Sequence, residues 1–142
     1  MINPNVLTSI IGNQKLRELI SENDIKKRIS EIADDISENY AGRIPIVIGV
    51  LNGSFLFLAD IVRKLDIEYE IDIIKISSYG NSKTTSGTVR LLKDISADIT
   101  NRDIILIEDI VDTGLSLKFL KKRFEDAAPH SLAFVTLLHK PH

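Results

Sequence analysis

Length, charge and cysteine content exclude several classes of protein for this chain. A length of 142 residues suits one domain with a sizeable core, so we expect a single domain over residues 1–142. With 18 basic and 20 acidic residues and a net charge of −2, the chain lacks the basic surplus of a nucleic-acid-binding protein. The absence of cysteine excludes disulfides, thiolate metal sites and cysteine nucleophiles. No apolar run reaches membrane-spanning length and the N-terminus does not resemble a signal peptide, so we expect a cytoplasmic protein without nucleic-acid or membrane partners.

Helix-period and strand-period segments alternate along the chain. Ser21 and Asp24 form a plausible cap pair, after which isoleucines recur at helical spacing until Gly42. The apolar run at 45–51 is typical of a strand that is buried on both faces of a parallel sheet. The later predicted elements are a helix at 55–65, strands at 67–76, 88–93 and 103–107, a helix at 115–124 and a strand at 131–138. This order predicts an α/β fold with a mostly parallel central sheet and helices on both faces.

The stretch at 104–117, IILIEDIVDTGLSL, carries the strongest functional signal. An apolar strand ends in Glu108 and Asp109, and open α/β sheets place their ligands at the carboxyl ends of strands. The turn that follows, Asp112-Thr113-Gly114-Leu115 with Ser116 behind it, opens onto a helix and offers backbone N–H groups to a phosphate. Carboxylates suit sugar hydroxyls, so the motif predicts a phosphorylated ribose as ligand. A solvated strand end is the alternative reading of the acidic pair.

Two other strand ends carry polar residues. After the first strand, Leu51-Asn52-Gly53-Ser54 could hold a pyrophosphate: Gly53 permits positive φ and close backbone approach, and Ser54 offers a hydroxyl. Lys140 follows the last strand. Taken singly, Asn-Gly is a common turn and a lysine after a strand is usually solvated. The spacings of a P-loop and of a dinucleotide-binding fingerprint do not occur in the sequence, which disfavours ATPase and dinucleotide-binding functions.

A polar stretch at 77–88 interrupts the strand pattern. Its glycine, serine and threonine content predicts a flexible lid that could exclude water from a reactive site, with Tyr79 at its base. The alternative is a flexible connection that takes no part in chemistry.

Four motifs together resemble one known family. IILIEDIVDTGLSL resembles the phosphoribosyl-pyrophosphate motif of purine phosphoribosyltransferases. VLNGSFLFLADIVRKL, SSYGNS and FVTLLHKP occur in the order seen in bacterial hypoxanthine (hypoxanthine-guanine) phosphoribosyltransferases, and the match runs from about Ile46 to Pro141. The resemblance implies the type I phosphoribosyltransferase fold and a homo-oligomer, a dimer or tetramer. It also implies an Mg²⁺-dependent reaction of purine salvage, in which a 6-oxopurine and phosphoribosyl pyrophosphate give IMP or GMP and pyrophosphate.

The same resemblance implies a role for each matched residue. Glu108 and Asp109 would bind the ribose hydroxyls, directly or through Mg²⁺, and Asp112 would be the general base that takes the purine N7 proton. Lys140 would donate to the purine 6-oxo group. The 5′-phosphate would be bound by Asp112, Thr113, Gly114, Leu115 and Ser116. Pyrophosphate would be bound by Leu51, Asn52, Gly53, Ser78 and Tyr79, and the peptide bond before Asn52 is expected to be cis.

Two features leave a second hypothesis open. The sequence stops at Pro141-His142, whereas the family continues with an aromatic platform for the purine, a further metal-binding aspartate and part of a hood, so we expect this C-terminal hood to be absent or truncated. A non-catalytic regulatory protein that binds phosphoribosyl pyrophosphate or a nucleotide is therefore the alternative to an enzyme. Retention of Asp112 and Lys140 favours the enzyme. A phospho-accepting receiver domain is disfavoured, because its acidic pair should follow the first strand rather than a late one.

Overall fold

The computed structural model describes residues 18–79 and 88–140, which form one five-stranded sheet with helices on both faces. The elements are α1 (Glu22–Asn39), β1 (Ile46–Leu51), α2 (Phe55–Val62), β2 (Glu70–Tyr79), β3 (Thr88–Lys93), β4 (Asp103–Val111), α3 (Leu115–Glu125) and β5 (Ser131–His139). The strand order is β3-β2-β1-β4-β5, and all neighbours are parallel except β2 and β3. This arrangement confirms the α/β fold with a mostly parallel sheet. No helix within the described residues is long and apolar enough to cross a membrane.

The first helix begins and ends where its sequence signals lie. At the N-cap, the Ser21 hydroxyl accepts the Asp24 backbone N–H at 3.1 Å, as the predicted cap pair requires. The isoleucines of α1 at positions 29, 32 and 36 are buried, because their spacing places them on one face of the helix. The helix ends at Asn39, and Gly42 follows with a φ of +74°.

The two central strands are buried on both faces, which explains why they are apolar throughout. On one face, Val47 of β1 packs with Ile105 of β4 under α1 and α2. On the other face, Ile48 and Leu106 pack with Phe124 of α3. Adjacent strand residues point to opposite faces, so a strand covered on both sides needs an apolar residue at every position.

Three predicted elements have boundaries that differ from the structure by more than one residue. Helix α2 ends at Val62 rather than at residue 65, because the Lys64 N–H bonds the Ile61 carbonyl at 2.8 Å and tightens the last turn. Strand β2 starts at Glu70 rather than 67, level with the first residue of β1, and runs to Tyr79. Residues 77–79 of the predicted lid are therefore strand, paired with β3, and the centre of that lid lies outside the described residues.

The third element whose boundary differs from the prediction is the motif strand, β4. We predicted an end at Ile107, but β4 continues to Val111 because β5 pairs with it as far as Val111 and His139. Strand β1 pairs with β4 only as far as Ile107. The acidic pair thus belongs to the strand itself, on the part that β1 no longer accompanies.

A buried carboxylate fastens the amino end of the sheet. Asp103, the first residue of β4, is only 8% exposed. It accepts hydrogen bonds from Arg43 at 3.2 Å and from the Ser131 hydroxyl of β5. The Arg43 guanidinium also stacks over the Tyr40 ring, 4.5 Å from its centroid, and donates to the Asn39 carbonyl. The end of α1 and the starts of β4 and β5 are therefore held together at one carboxylate.

Replacement of this carboxylate should destabilise the fold without touching the opposite end of the sheet. Asp103→Ala leaves Arg43 and Ser131 without their acceptor, and we expect a loss of about 1–3 kcal/mol in the free energy of unfolding. Urea denaturation measures it. Asp34→Ala, at an exposed position of α1, is the control and should change the free energy by less than about 0.5 kcal/mol. Equal effects of the two substitutions would contradict this role of Asp103.

Candidate functional site

The carboxyl ends of three parallel strands lie side by side at one edge of the sheet. β1, β4 and β5 are consecutive in the strand order and run in the same direction. The edge therefore collects the loop at 51–53 after β1, the motif residues 108–116 of β4 and its turn, and Lys140 after β5. These are the three strand ends that the sequence marked as unusual.

The turn after β1 is closed by a hydrogen bond from the side chain of Ser54. The peptide bond between Leu51 and Asn52 is cis, as expected from the resemblance. Ser54 is fully buried, and its hydroxyl donates to the Val50 carbonyl at 2.6 Å. We predicted from the sequence that this hydroxyl could contact a ligand. That prediction is wrong, because the hydroxyl is buried and donates its proton inside the protein.

Glycine at position 53 leaves room for the Asp109 carboxylate. A Cβ atom built on Gly53 would lie 2.6 Å from both carboxylate oxygens of Asp109. Positive φ is not the reason, since the glycines with positive φ within the described residues are Gly42 and Gly114. The loop after β1 thus touches the carboxylate of β4 directly, and the two form one continuous polar surface.

The acidic pair on β4 is half-buried and incompletely satisfied. The Oε2 atom of Glu108 is buried and has no hydrogen-bond partner within the described residues. Burial, and secondly the charge of Asp109, raises the pKa of Glu108 to about 7. A charged Glu108 is therefore costly in the ligand-free protein, and a cation or a hydroxyl donor beside it would lower that cost.

The turn after β4 exposes the start of a helix. Gly114 is the N-cap of α3, in the left-handed conformation with φ 76° and ψ 3°, and it provides no side-chain cap. The Leu115 N–H makes a long contact of 3.4 Å to the Thr113 hydroxyl. Backbone N–H groups and the positive end of an eleven-residue helix make this turn suited to an anion.

The oppositely charged side chains of Lys140 and Asp112 face each other at the same edge of the sheet. Lys140 Nζ lies 3.5 Å from Asp112 Oδ1, and both side chains are more than half exposed. The Lys140 backbone N–H bonds the Val111 carbonyl at 2.9 Å, which holds the lysine next to the motif strand. The resemblance implies a role for each residue, but nothing in the sequence indicated their contact, because α3 and β5 separate them along the chain.

Comparison with known proteins identifies the family of the chain. The model of the phosphoribosyl transferase domain matches residues 17–142. The chain belongs to the phosphoribosyltransferase family. The hypoxanthine-guanine phosphoribosyltransferase of Bacillus subtilis is 42% identical over 123 residues, which are 87% of this chain and 68% of that protein.

Solved structures agree with the family. A crystal structure of a hypoxanthine-guanine phosphoribosyltransferase from Bacillus anthracis, with HEPES in its active site, has a TM-score of 0.83 and 44% identity. The match covers 90% of this chain and 75% of that one. A hypoxanthine phosphoribosyltransferase from Staphylococcus aureus has a TM-score of 0.85 and 32% identity, over 95% of this chain and 73% of that one. These comparisons confirm the family, fold and enzyme class predicted from the motifs: the chain is a transferase of the glycosyltransferase type.

Ser78 and Tyr79 lie apart from the strand-end residues. Lys75 is the last residue of β2 that pairs with β1, and beyond it β2 continues as a hairpin with β3. Ser78 is exposed on this projecting hairpin, opposite Val89, while the Tyr79 side chain lies outside the described residues. The structure thus places both positions beyond the carboxyl edge of the sheet.

The donor set at the acidic pair fits a hard divalent cation. Glu108 and Asp109 provide carboxylate oxygens, and one of these is buried without a partner. Mg²⁺ typically binds one or two carboxylates together with phosphate oxygens of the substrate. Within residues 18–79 and 88–140, no group of three or more acidic or histidine side chains is placed to hold a metal ion.

The raised pKa of Glu108 predicts a pH-dependent stability. The native state retains this proton up to a pH of about 7, whereas an unfolded glutamate releases it near its ordinary value of 4.5. Native stability is therefore lost as the pH rises through this window. Glu108→Gln removes the effect, so at pH 8 without Mg²⁺ it should stabilise the protein by roughly 3 kcal/mol at most, and at pH 4 the gain should disappear. Urea denaturation at both pH values measures this.

The exposed Glu38 of α1 offers a matched control. Glu38→Gln should change the free energy of unfolding by a similar small amount at both pH values. A stabilisation by Glu108→Gln that is equal at both pH values would contradict the raised pKa.

Proposed function

We propose that the chain is a hypoxanthine/guanine phosphoribosyltransferase of purine salvage, which converts a 6-oxopurine and phosphoribosyl pyrophosphate to IMP or GMP and pyrophosphate. The observation that carries this proposal is the 3.5 Å contact between Lys140 and Asp112, beside a turn suited to phosphate. A protein that only bound the sugar phosphate would need neither residue at this place. The names of the relatives in Bacillus subtilis and Bacillus anthracis support the same reaction.

The purine would be held by the cation and the anion together. The 6-oxo group and N7 are neighbours on one edge of a 6-oxopurine. Lys140, which has only donors, would bind the 6-oxo oxygen, and Asp112 would accept the N7 proton while N9 attacks C1 of the ribose. Adenine would be rejected, because its 6-amino group is a hydrogen-bond donor and would face the lysine, which is also a donor.

The sugar phosphate would occupy the rest of the edge. Asp112 and the turn that leads into α3 would enclose the 5′-phosphate through backbone N–H and hydroxyl groups of Thr113, Gly114, Leu115 and Ser116. Glu108 and Asp109 would accept hydrogen bonds from the ribose hydroxyls. The half-buried position of the acidic pair strengthens such bonds, because little water competes for them.

Pyrophosphate would lie on the loop after β1. Leu51, Asn52 and Gly53 would bind it, and Gly53 is already in contact with the carboxylate of Asp109. Ser78 and Tyr79 would approach it from the projecting hairpin. The contact between loop and carboxylate supports this assignment, because the pyrophosphate and ribose sites would then lie directly beside each other, as the two parts of one substrate require.

Mg²⁺ is the cofactor that we propose, with Glu108 and Asp109 as its protein ligands. When bound, it would neutralise the charge of the leaving pyrophosphate. The unpartnered Oε2 atom of Glu108 supports the assignment, because it is a buried oxygen donor with no other partner within the described residues.

The remaining proposals concern organisation and location. We propose one phosphoribosyltransferase domain over residues 1–142 and a homo-oligomer, a dimer or tetramer; the resemblance of the motifs supports both. A cytoplasmic location is supported by the absence of cysteine and by the lack of a long apolar run in the sequence.

The general base provides the first test. Asp112→Asn keeps the shape of the side chain but cannot take the N7 proton, so we expect nucleotide formation to fall by about 100-fold or more. Ultraviolet absorbance follows IMP and GMP formation from hypoxanthine or guanine, phosphoribosyl pyrophosphate and Mg²⁺. Asp126→Asn, at the exposed C-cap of α3, is the control and should retain full activity. If the unaltered chain binds phosphoribosyl pyrophosphate but forms no nucleotide, it is either a regulatory binding protein or an enzyme that needs a further C-terminal segment.

The lysine provides a test of base recognition. Lys140→Met removes the donor to the 6-oxo group, so we expect the KM for hypoxanthine to rise by about tenfold or more, while the KM for phosphoribosyl pyrophosphate changes by less than about twofold. Lys118→Met, at an exposed position of α3, should leave both values unchanged. An equal rise in both KM values would contradict the role of Lys140 in purine binding.

A further inference from the structure

Two serines at helix N-caps in this protein use their hydroxyl groups differently. Ser21 has the extended backbone of an ordinary N-cap, φ −73° and ψ 155°, and its hydroxyl caps α1. Ser54 at the start of α2 has a helical backbone, φ −72° and ψ −6°, and makes no side-chain cap. Its hydroxyl turns back to the Val50 carbonyl instead. The Ser54 hydroxyl therefore contributes to the turn before α2 and not to the cap of the helix.

The bond to Val50 closes the loop that follows β1. Val50 stands immediately before Leu51-Asn52-Gly53, and Ser54 stands immediately after it. The Ser54 hydroxyl and the Ser54 N–H both reach the Val50 carbonyl, at 2.6 and 3.4 Å. The three loop residues therefore form an arch whose two ends are joined at one carbonyl oxygen.

The surroundings of Ser54 leave its hydroxyl little freedom. Ser54 is fully buried, and its Oγ atom lies 3.5 Å from the place where a Cβ atom on Gly49 would stand. The same Cβ atom would lie 2.6 Å from the Leu58 side chain, so Gly49 is tightly enclosed as well. The Leu58 N–H bonds the Ser54 carbonyl at 2.7 Å. Close packing on these sides fixes the position of the hydroxyl.

We propose that Ser54 is a positioning residue for pyrophosphate, which acts through the arch at 51–53 rather than by contact with the ligand. The inference rests on the proposed function. Gly53 is packed against the Asp109 carboxylate, which limits movement of the arch towards β4, and the Ser54 bond limits movement away from it. Without that bond, the backbone groups that face pyrophosphate would lose their fixed distance from the ribose site, and part of the binding energy would be spent on ordering the arch.

The test compares two serines that make the same kind of bond. Ser37 in α1 also donates its hydroxyl to the carbonyl four residues earlier, Ala33, at 2.8 Å; it also accepts the Asp66 N–H at 3.0 Å and is not among the proposed site residues. Ser54→Ala and Ser37→Ala each remove one such bond. Binding of phosphoribosyl pyrophosphate with Mg²⁺, and of IMP, which lacks pyrophosphate, is measured by titration calorimetry for both variants.

We expect Ser54→Ala to weaken the binding of phosphoribosyl pyrophosphate by about five- to tenfold and that of IMP by less than about twofold. Ser37→Ala should lower the melting temperature but leave both affinities unchanged. In turnover assays, the Ser54 variant should show a raised KM for phosphoribosyl pyrophosphate and an unchanged KM for hypoxanthine. Ser54→Cys, with similar volume and a weaker donor, should lie between serine and alanine, and it decides the matter if the alanine variant does not fold.

Two results would overturn the inference: unchanged affinity for phosphoribosyl pyrophosphate in the Ser54 variants, or equal loss of affinity for both ligands, which would mean a general structural role. The proposed function fails separately. If the unaltered chain binds phosphoribosyl pyrophosphate without turnover, the binding comparison still tests Ser54. If it binds none, the function itself is refuted.

Discussion

The contact between Gly53 and the Asp109 carboxylate is the constraint on which the site depends. Strand β1 pairs with β4 only up to Ile107, whereas β5 accompanies β4 to Val111. The space beside the last part of β4 is therefore taken by the loop after β1 instead of by another strand. A residue with a Cβ atom at position 53 would displace the Asp109 carboxylate, because both of its oxygens lie 2.6 Å from the Cβ position. The length of β1, the shape of the loop that follows it and the glycine at position 53 therefore depend on one another.

The same arrangement explains why the acidic pair is costly to the folded protein. β4 passes from the fully buried core into the site without a break, so Glu108 stands one residue beyond Ile107, which is completely buried. The burial that stabilises the core therefore removes water from Glu108 and raises its pKa to about 7. A site with such an unsatisfied carboxylate binds a cation or sugar hydroxyls more strongly than a solvated one, at the expense of stability when empty.

The sequence predicted those parts of the fold and site that depend on local patterns. The buried strands β1 and β4 could be recognised because strands covered on both faces are apolar at every position. The cap of α1 could be recognised because Ser21 and Asp24 bond each other directly. The end of β4 could not, because it is set by pairing with β5, a partner far along the chain. The reason for a glycine at position 53 could not be predicted either, because the atoms that a side chain would meet there belong to Asp109, which is far along the chain.

The hydrogen bond of Ser54 could not be predicted from the motif that contains it. From the sequence, the hydroxyl of this serine was a candidate for contact with pyrophosphate. The structure assigns its proton to Val50, on the other side of the loop. The three residues proposed to bind pyrophosphate are then held by Val50 and Ser54 at the two ends of the loop, and by Asp109 across the strand gap. Backbone binding of pyrophosphate requires such support, because backbone N–H groups cannot adjust by rotating a side chain and must be held in place by the loop itself.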